Sequence, residues 1–512
     1  MTKGKFFTTF SGKTNTQTTL LMNPRAGSAM RRSSSMTLKR KFLICLLTFV
    51  LLAAYPISTY AAESSSKNGM QVLEEIMNLL RDHHLQNVSQ EQLVDAAIRG
   101  MVESLDDPYT VYMNAEEWEG YQSSIEQEYV GIGIQLGEDE RGVYAQDVFP
   151  GSPAQEAGIL KGDYIIAVNG QDTTAMTADE IVEMILGDEN TTVVVTISRA
   201  GSPMTYKMER RPVKIPNVET RWFSEGYGYI HIKMFSNDAD ELVEEAVKEM
   251  KKKGLKGLVV DVRGNPGGYL DTVAYITGEF LADGVVMHTR DKDGLDSPIS
   301  IQNGNQLDVP VVILIDERSA SGSEVLAGAL QDHKLAKVIG VPSYGKGSVQ
   351  SIFPLSNGGV LKTTVQEYLT PHGHPVNGVG IKPDLEVQGS LPQLLTGLRE
   401  VGLTKLTLRA AQHELLINDV NFNESLPYIV QEDRVYVHSR VLAALSGLQV
   451  TWDGAAQQVV LQGHNTDYRY SLDAPEVLQQ EGMTYLELNS FADEAAGFSW
   501  SYADGVLTLS IE

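Results

Sequence analysis

The chain has 512 residues, enough for three or four domains with cores of their own. It carries 41 basic and 66 acidic residues, and its formal net charge is −25. Residues 1–62 hold nine Lys and Arg and no acidic residue, so the rest of the chain is strongly acidic. That charge disfavours nucleic acid and anionic lipid headgroups as partners, and a peptide or protein partner is expected instead.

The basic N-terminal segment runs into an apolar stretch that has the length of an export signal. In KRKFLICLLTFVLLAA (39–54) a positive run meets about 13 apolar residues, which is short for a membrane span. Cleavage is expected after Ala61 or Ala62, and an uncleaved membrane anchor is the alternative. The long stretch before the apolar run leaves three candidate start positions, which are Met1, Met30 and Met36. We expect an exported protein, either secreted or held at the outer face of the cytoplasmic membrane through residues 1–62 alone.

The only cysteine, Cys45, lies inside this apolar stretch. The residues just before it lack the small side chain that a lipoprotein cleavage site requires, so lipidation is not expected. The mature chain would contain no thiol, and its stability must come from hydrophobic cores rather than disulfide bonds.

Residues 63–117 are predicted to form an N-terminal helical region. Apolar residues recur at helical spacing from Met70 to Leu80, and a second helix is predicted around residues 93–105. Pro108, in DDPYTVYM (106–113), then breaks the helical pattern. The first helix has a broad apolar face, which could pack on the main core or serve as a dimer arm.

Residues 118–203 are predicted to form a compact β-rich module. YVGIGIQL (129–136) alternates glycine with apolar residues, and short strands, turns and a small helix ending at Gly158 follow. A helix at 177–187 and a strand at 191–199 complete the module. The glycines leave backbone N–H groups unshielded, so these groups can point at an anion.

This module resembles a PDZ domain along its whole length. Gly131, Ile132, Gly133 and Ile134 match the PDZ loop that holds the C-terminal carboxylate of a peptide, and GSPAQEAGILKGDYIIAVNG (151–170) matches the most characteristic stretch. The resemblance implies that a peptide tail adds a strand at an open sheet edge. The alternative is a buried glycine-rich turn with no ligand.

Residues 204–390 are predicted to form an α/β domain with a parallel or mixed sheet. Strands are predicted at 229–232, 257–262 and 311–315, and helices at 239–251 and 323–331. Such alternation places ligand chemistry at the carboxyl ends of the strands. Two loops follow strands there, RGNPGG (263–268) and the loop 316–324.

Ser321 in SASGSE (319–324) and Lys346 in YGKGSVQ (344–350) are the most informative pair of the chain. A serine needs a base to take its proton, and no histidine pattern of a serine hydrolase is present. A lysine can be that base near neutral pH if burial lowers its pKa. Ser321 is also predicted just before a helix, where free N–H groups and the helix dipole stabilise a developing oxyanion. Gln350 follows Lys346 at the spacing of one helical turn, and the set suggests a Ser–Lys hydrolase.

A nucleotide site is the main chemical alternative, because GVPSYGKGS (340–348) is close to a P-loop. Gly347 follows Lys346 where that motif needs Ser or Thr, and the acidic strand 311–317 precedes the loop instead of following it. The other alternative is that Ser321 and Lys346 are ordinary loop residues.

Taken in chain order, the motifs resemble the carboxy-terminal processing (tail-specific) serine proteases of peptidase family S41 over residues 70–388. The matching stretches are DDPYTVYM, the PDZ-like module, DVRGNPGG, SASGSEVLAGALQDH, YGKGSVQ and GVGIKPD (378–384). The resemblance implies that Ser321 is the nucleophile, that Lys346 is the general base, and that Gln350 fixes the lysine by a hydrogen bond.

The same resemblance implies supporting groups around the reacting pair. The oxyanion hole would use the amide of Gly322 together with that of Gly267 or Gly268. Asp332 matches an acidic position that supports the site in relatives, and a structural capping role is the alternative.

The resemblance also implies the partners of the protein. A polypeptide with an apolar C-terminal tail would dock on the PDZ edge and enter the protease groove, and the protease would be a homodimer. No cofactor and no metal are expected, because PHGHP (371–375) offers two histidines with no third ligand nearby in the sequence. The alternative function is a non-catalytic PDZ scaffold that holds partners at the cell surface.

Residues 391–512 are predicted to form a small α+β domain with an internal repeat. YVHSRVLAALSGLQVTWDGAAQQVVL (436–461) is echoed by YLELNSFADEAAGFSWSYADGVLTL (485–509), and each unit predicts a strand, a short helix and a hairpin. The segment resembles the N-terminal domain of copper amine oxidases, but it lacks a Cys/His ligand set, so copper is not implied. The predicted fold class is therefore multidomain, α/β and β.

Overall fold

The structure, a computed structural model, describes residues 57–411, 414–422, 424–463 and 466–512. The apolar stretch 39–54 and the three candidate start positions lie outside the described residues. The chain divides into two units, Met1–Ala96 and Ala97–Glu512. No helix within the described ranges has both the length and the apolar character needed to span a membrane.

The N-terminal region is helical, as the periodicity predicts. Helix α1 spans Ile57–His83 and α2 spans Gln90–Glu103, and Pro108 lies between α2 and the short strand β1 (Val111–Met113). Helix α3 (Ala115–Glu126) begins with a capping box, in which the Asn114 side chain accepts from the Glu117 N–H and the Glu117 carboxylate accepts from the Asn114 N–H.

The module from β2 to β9 is a sheet covered by two short helices. Its strands are β2 (Glu128–Gly131), β3 (Ile134–Asp139), β4 (Gly142–Val148), β5 (Tyr164–Val168), β6 (Gln171–Asp172), β7 (Thr192–Arg199), β8 (Ser202–Glu209) and β9 (Arg211–Lys214). The main sheet runs β3-β4-β5-β7-β8, which leaves β3 at one edge, and β2 pairs with β9 in a separate ribbon. The helices are α4 (Pro153–Ala157), which ends at Gly158 as predicted, and α5 (Ala178–Ile185).

The α/β domain is built on a six-stranded mixed sheet in the order β10-β11-β12-β15-β16-β19. Strand β10 (Val218–Phe223) is antiparallel to β11 (Tyr227–Ile232), and the other pairs are parallel. Those other strands are β12 (Gly257–Asp261), β15 (Val311–Ile315), β16 (Lys337–Gly340) and β19 (Leu385–Glu386). The predicted mixed sheet is confirmed.

Helices cover both faces of this sheet, which explains why its central strands are apolar throughout. Every residue of β12 and β15 is buried, as expected for parallel strands packed on two sides. Leu258 and Val260 face one core while Val259 and Leu314 face another. The helices are α6 (Ala239–Lys252), α7 (Leu270–Gly278), α8 (Gly322–Asp332) and α9 (Ser390–Glu400).

A second, antiparallel sheet flanks the α/β core and is made from distant parts of the chain. Its order is β1-β18-β13-β14, with β17 also paired to β18. The strands are β13 (Gly284–Asp291), β14 (Asp296–Ile301), β17 (Ser348–Pro354) and β18 (Val360–Leu369). Since β1 precedes the β2–β9 module and β18 follows it, that module is an insertion in the domain that contains this sheet.

The C-terminal segment forms the strand–helix–hairpin repeat that its sequence predicts. The first unit is β24 (Arg434–His438), α10 (Ser439–Ser446), β25 (Gln449–Asp453) and β26 (Gln458–Gln462). The second is β29 (Met483–Glu487), α11 (Leu488–Glu494), β30 (Phe498–Ala503) and β31 (Val506–Ile511), and β24 pairs with β29. The remaining strands are β20 (Leu406–Ala411), β21 (Glu414–Ile417), β22 (Val420–Phe422), β23 (Tyr428–Gln431), β27 (Asp467–Ser471) and β28 (Val477–Gln480).

Candidate active site

One cavity of about 420 Å³ collects the residues that sequence analysis assigns to catalysis. They come from the loop before α7, from the start of α8 and from the segment leading into β17. The predicted site residues among those that line it are Gly267, Gly268, Ser321, Gly322, Lys346 and Gln350. Folding therefore brings together three motifs that are separated by up to 80 residues in the chain.

Ser321 lies in a sharp turn between β15 and α8, immediately before the helix begins. Its backbone has φ 53° and ψ −110°, a conformation that residues with side chains rarely adopt. Such strain costs about 1–3 kcal/mol and is typical of functional positions. A tight strand-to-helix turn of this kind exposes a serine hydroxyl at the end of a sheet, next to the free amides of a helix N-terminus.

Glycine backbone lies against Ser321 and offers amide donors. A Cβ placed on Gly267 would be 2.9 Å from Ser321 Cβ, so only glycine permits this approach. The Gly267 N–H already donates to Asn265 Oδ1 at 2.8 Å. Within the described ranges, the amides of Gly268 and Gly322 have no hydrogen-bond acceptor. Of the two alternatives left by the sequence, Gly268 is therefore the one whose amide is free to serve as the oxyanion donor that the resemblance implies.

Lys346 is held in a setting that favours its neutral form. Burial lowers the pKa of its ammonium group, and the nearby positive charge of Lys362 lowers it further. Glu324 and Asp107 act in the opposite direction with smaller effects. The amine lies 4.9 Å from the centre of the Tyr109 ring, and no carboxylate among the described residues forms an ion pair with it.

Gln350 reaches the cavity from a strand, so the prediction of a helical turn between it and Lys346 is wrong. It lies in β17 beside an irregularity in the pairing with β18. Its side-chain amide donates to Ser348 Oγ at 2.9 Å and to Thr364 Oγ1 at 3.3 Å. In the part of the chain that the structure describes, it forms no hydrogen bond with Lys346, so the predicted bond between the two side chains is not present.

Glu324 is not among the site residues predicted from the sequence, although its carboxylate connects the segments that carry Ser321 and Lys346. The side chain is buried and accepts from the backbone N–H of Ser321 at 2.8 Å and of Lys346 at 2.9 Å. It also accepts from Gly345 N at 2.7 Å and from Ser343 Oγ at 2.6 Å. The S-x-x-E pattern of a capping box at 321–324 is the sequence signal that points to this residue.

The Gly131–Ile134 segment has free backbone amides at an open sheet edge, the arrangement that carboxylate capture needs. Ile132 and Gly133 lie between β2 and β3, and their N–H groups have no acceptor among the described residues. Gly133 has φ 78°, and a Cβ there would be 2.2 Å from Ser152 Cβ, so a side chain does not fit. Val182 and Leu186 of the α5 segment are partly exposed apolar residues of the same module.

Comparison with known proteins identifies four segments of the chain. Residues 226–387 match the family model for peptidase family S41, and residues 122–198 match that for the PDZ domain. Residues 53–117 match the N-terminal domain of the activating protease CtpB, and residues 399–461 match the copper amine oxidase N-terminal domain.

Whole-protein relatives cover most of the chain. A probable CtpA-like serine protease of Staphylococcus aureus is 34% identical over 370 residues, which cover 69% of this chain and 74% of that protein. The carboxy-terminal-processing protease of Bartonella bacilliformis is 33% identical and covers 69% of this chain and 83% of that protein. CtpB of Bacillus subtilis is 33% identical over 343 residues, with 66% and 71% covered.

The chain belongs to the carboxy-terminal processing proteases of family S41. Like its relatives, this protease is a serine protease with a PDZ domain.

The DDPYT segment (106–110) of the protease places the Tyr109 ring beside Lys346. Asp107 accepts from the Tyr109 N–H at 3.0 Å and from Thr110 Oγ1 at 2.5 Å. Thr110 Oγ1 in turn accepts from the Thr364 N–H on β18 at 3.1 Å. This fastening to β18 holds the Tyr109 ring close to the Lys346 amine, a function that the motif alone did not reveal.

Asp332 lies far from the reacting serine. It is the last residue of α8, about 16 Å from Ser321 at the helical rise of 1.5 Å per residue. Its carboxylate accepts from the His372 N–H at 2.8 Å. Of the two roles that sequence analysis left open, this position favours a structural one at the turn 370–374.

Proposed function

We propose that this protease cleaves polypeptides with Ser321 as nucleophile and Lys346 as general base. The observation that carries the proposal is the environment of Lys346, which shares a cavity with Ser321. Burial and Lys362 lower the pKa of its amine, and the described residues offer it no ion-pair partner. A lysine whose pKa is lowered in this way can accept the serine proton.

The reaction follows from this arrangement. Neutral Lys346 takes the hydroxyl proton as Ser321 Oγ bonds to the scissile carbonyl carbon, and the carbonyl oxygen becomes an oxyanion. The amides of Gly268 and Gly322 donate to that oxygen, each lowering the barrier by about 3 kcal/mol. Protonated Lys346 then gives its proton to the leaving amine, and a water molecule hydrolyses the acyl-enzyme. Gln350 donates hydrogen bonds to Ser348 and Thr364 and so helps to fix β17 against β18 beside the cavity.

The proposed substrate is a polypeptide whose C-terminal tail is apolar. Part of the cavity around Ser321 is lined by apolar side chains, which suit an apolar substrate residue. These side chains belong to Met234, Leu270, Met287, Val325 and Ile352. The free amides of Ile132 and Gly133 and the open edge of β3 suit the terminal carboxylate and strand addition.

The experiment that tests the proposal compares two active-site variants with two matched controls. Ser321→Ala and Lys346→Ala should lose cleavage of a denatured protein that ends in an apolar tail, while circular dichroism stays unchanged. Ser356→Ala and Lys382→Ala remove the same side chains from exposed positions and should keep full activity. Cleavage by a Ser321→Ala preparation that is free of other proteases would contradict the assignment of Ser321 as nucleophile. Tail binding without any cleavage by the parent protein would favour the non-catalytic scaffold.

We also propose that the protein is exported and that α1 takes part in a homodimer. Export is supported by the basic and apolar run 39–54 and is tested by sequencing the N-terminus of the protein recovered from the producing cell. Dimer formation is supported by the exposed apolar residues Met70, Ile76 and Leu79. Replacing these three by Ser should convert a dimer into a monomer in light scattering. A parent protein that is already monomeric would contradict the dimer.

A further inference from the structure

The turn that follows β18 presents two histidines next to the end of α8. The turn is closed by its own backbone, since Thr370 N donates to His374 O at 3.0 Å and Gly373 N donates to Thr370 O at 2.8 Å. The residues on either side, Leu369 and Pro375, form a further bridge. His372 and His374 are therefore held two residues apart on a rigid support, with their rings 6.4 Å apart.

Asp332 completes a group of three potential metal ligands at this turn. Sequence analysis found no third ligand because Asp332 lies 40 residues before His372. Its carboxylate Oδ1 is 3.5 Å from His372 Nδ1, close to the ligand separation of about 3.4 Å in a tetrahedral zinc site. The ligand atoms of Asp332, His372 and His374 all lie within 4.8 Å of one another. Both histidines are exposed, so their rings can rotate to close the remaining gap.

The surroundings favour a cation at this point. Asp332 is the last residue of α8, where the helix dipole places negative charge. Asp332 Oδ2 is already fixed by the His372 N–H, so Oδ1 is the oxygen left to bind a metal. One carboxylate and two neutral imidazoles leave a fourth position for water, the donor set that suits zinc.

We propose that Asp332, His372 and His374 bind one divalent transition-metal ion, with Zn²⁺ as the best-fitting ion. The ion would tie the C-terminal end of α8 to the turn after β18. Both elements also contact the active site, because α8 begins after Ser321 and the hydroxyl of Tyr368, near the end of β18, donates to Ser321 O at 3.2 Å. The metal would therefore brace the two elements that hold the nucleophile without touching substrate.

The test uses the full chain without an affinity tag, in the Ser321→Ala background to prevent self-digestion. After treatment with a chelator, equilibrium dialysis measures the zinc bound per chain, and visible absorption follows Co²⁺ as a spectroscopic substitute. We expect one tightly held Zn²⁺ per chain, a Co²⁺ spectrum of four-coordinate type, and a melting temperature that rises with added Zn²⁺. All three should be lost in His374→Ala.

Two further variants separate a metal site from a plain ion pair between Asp332 and His372. His288→Ala removes another histidine that pairs with an aspartate, since His288 Nδ1 lies 2.9 Å from Asp296 Oδ1, and it should bind zinc like the parent. Asp332→Asn keeps an acceptor for the His372 N–H but removes the charge, and it should weaken zinc binding at least tenfold. If the parent binds no zinc, or if His374→Ala binds as much as the parent, the proposal is overturned.

Discussion

Replacing Glu324 by Gln tests whether this carboxylate joins the two catalytic segments. The two carboxylate oxygens share five donors. Oε1 accepts from Ser343 Oγ and Gly345 N, and Oε2 accepts from Ser321 N, from Lys346 N and, at 3.5 Å, from the Tyr368 hydroxyl. A Gln side chain replaces one oxygen by an NH₂ group, which cannot accept. Whichever way the amide lies, at least two buried donors lose their acceptor.

The size of the effect follows from the cost of those two donors. A buried donor left without an acceptor costs about 1–3 kcal/mol, so the variant should lose about 2–6 kcal/mol of local stability. Each 1.4 kcal/mol changes the equilibrium for local opening about tenfold. Backbone amide exchange in residues 319–324 and 344–350 should therefore accelerate by about 30-fold to 20,000-fold. Hydrogen exchange followed by mass spectrometry of these two peptides measures the change in the Ser321→Ala background.

A second readout distinguishes a positioning role from a merely structural one. The negative charge of Glu324 raises the pKa of Lys346, so its removal should lower that pKa and move the acid limb of the pH–rate profile to lower pH. Glu317→Gln removes the same charge from an exposed position in the same loop and should change neither measurement. Exchange rates within threefold of the parent, together with an unmoved acid limb, would refute the role of Glu324.

Three other changes probe the site. Lys346→Met should raise the melting temperature at neutral pH, because burial makes the charged amine unfavourable. The parent gains stability as pH rises from the lowered pKa of Lys346 towards 10.5, because the folded protein loses the lysine proton before the unfolded chain does. The melting temperatures of parent and variant should therefore converge near pH 10.5. A difference that stays constant with pH would contradict the lowered pKa of Lys346. Gly268→Ala should destabilise the protease and abolish cleavage, because the new Cβ would lie 2.3 Å from Phe235 O. The control Gly120→Ala should not lower the melting temperature, because its Cβ would meet nothing within 4 Å. Tyr109→Leu removes a ring face that stabilises the charged form of the Lys346 amine, so the acid limb should move to lower pH. An unchanged limb would exclude the ring from this role.

Local patterns in the sequence were enough to place the catalytic motifs on their elements. The turn before a helix at Ser321 and the buried strand before RGNPGG depend on residues close together in the chain, and the structure agrees with both. Gln350 was misplaced because a spacing of four residues is compatible with a strand as well as a helix. Its pairing partners on β18 decide between the two, and those partners lie more than ten residues away.

The contributions that escaped prediction all depend on contacts between distant segments. Glu324 connects with Lys346 across 22 residues, and Asp332 meets His372 across 40. A helix C-terminus and a surface turn are common features, and nothing in either local pattern indicates that they share one place in the fold. Only the packing of α8 against the end of β18 brings them together.

The insertion of the PDZ domain orders events during synthesis of the chain. Thr110 and Thr363 are hydrogen-bonded partners although 253 residues separate them, and the position of the Tyr109 ring beside Lys346 depends on that junction. Domains fold as units while the chain is made from its N-terminus, and contacts between distant residues form late. The PDZ domain is therefore complete while the cavity still lacks β17, β18 and Lys346. If the PDZ domain binds substrate tails as proposed, a partly made chain would bind a tail before it has a complete cavity.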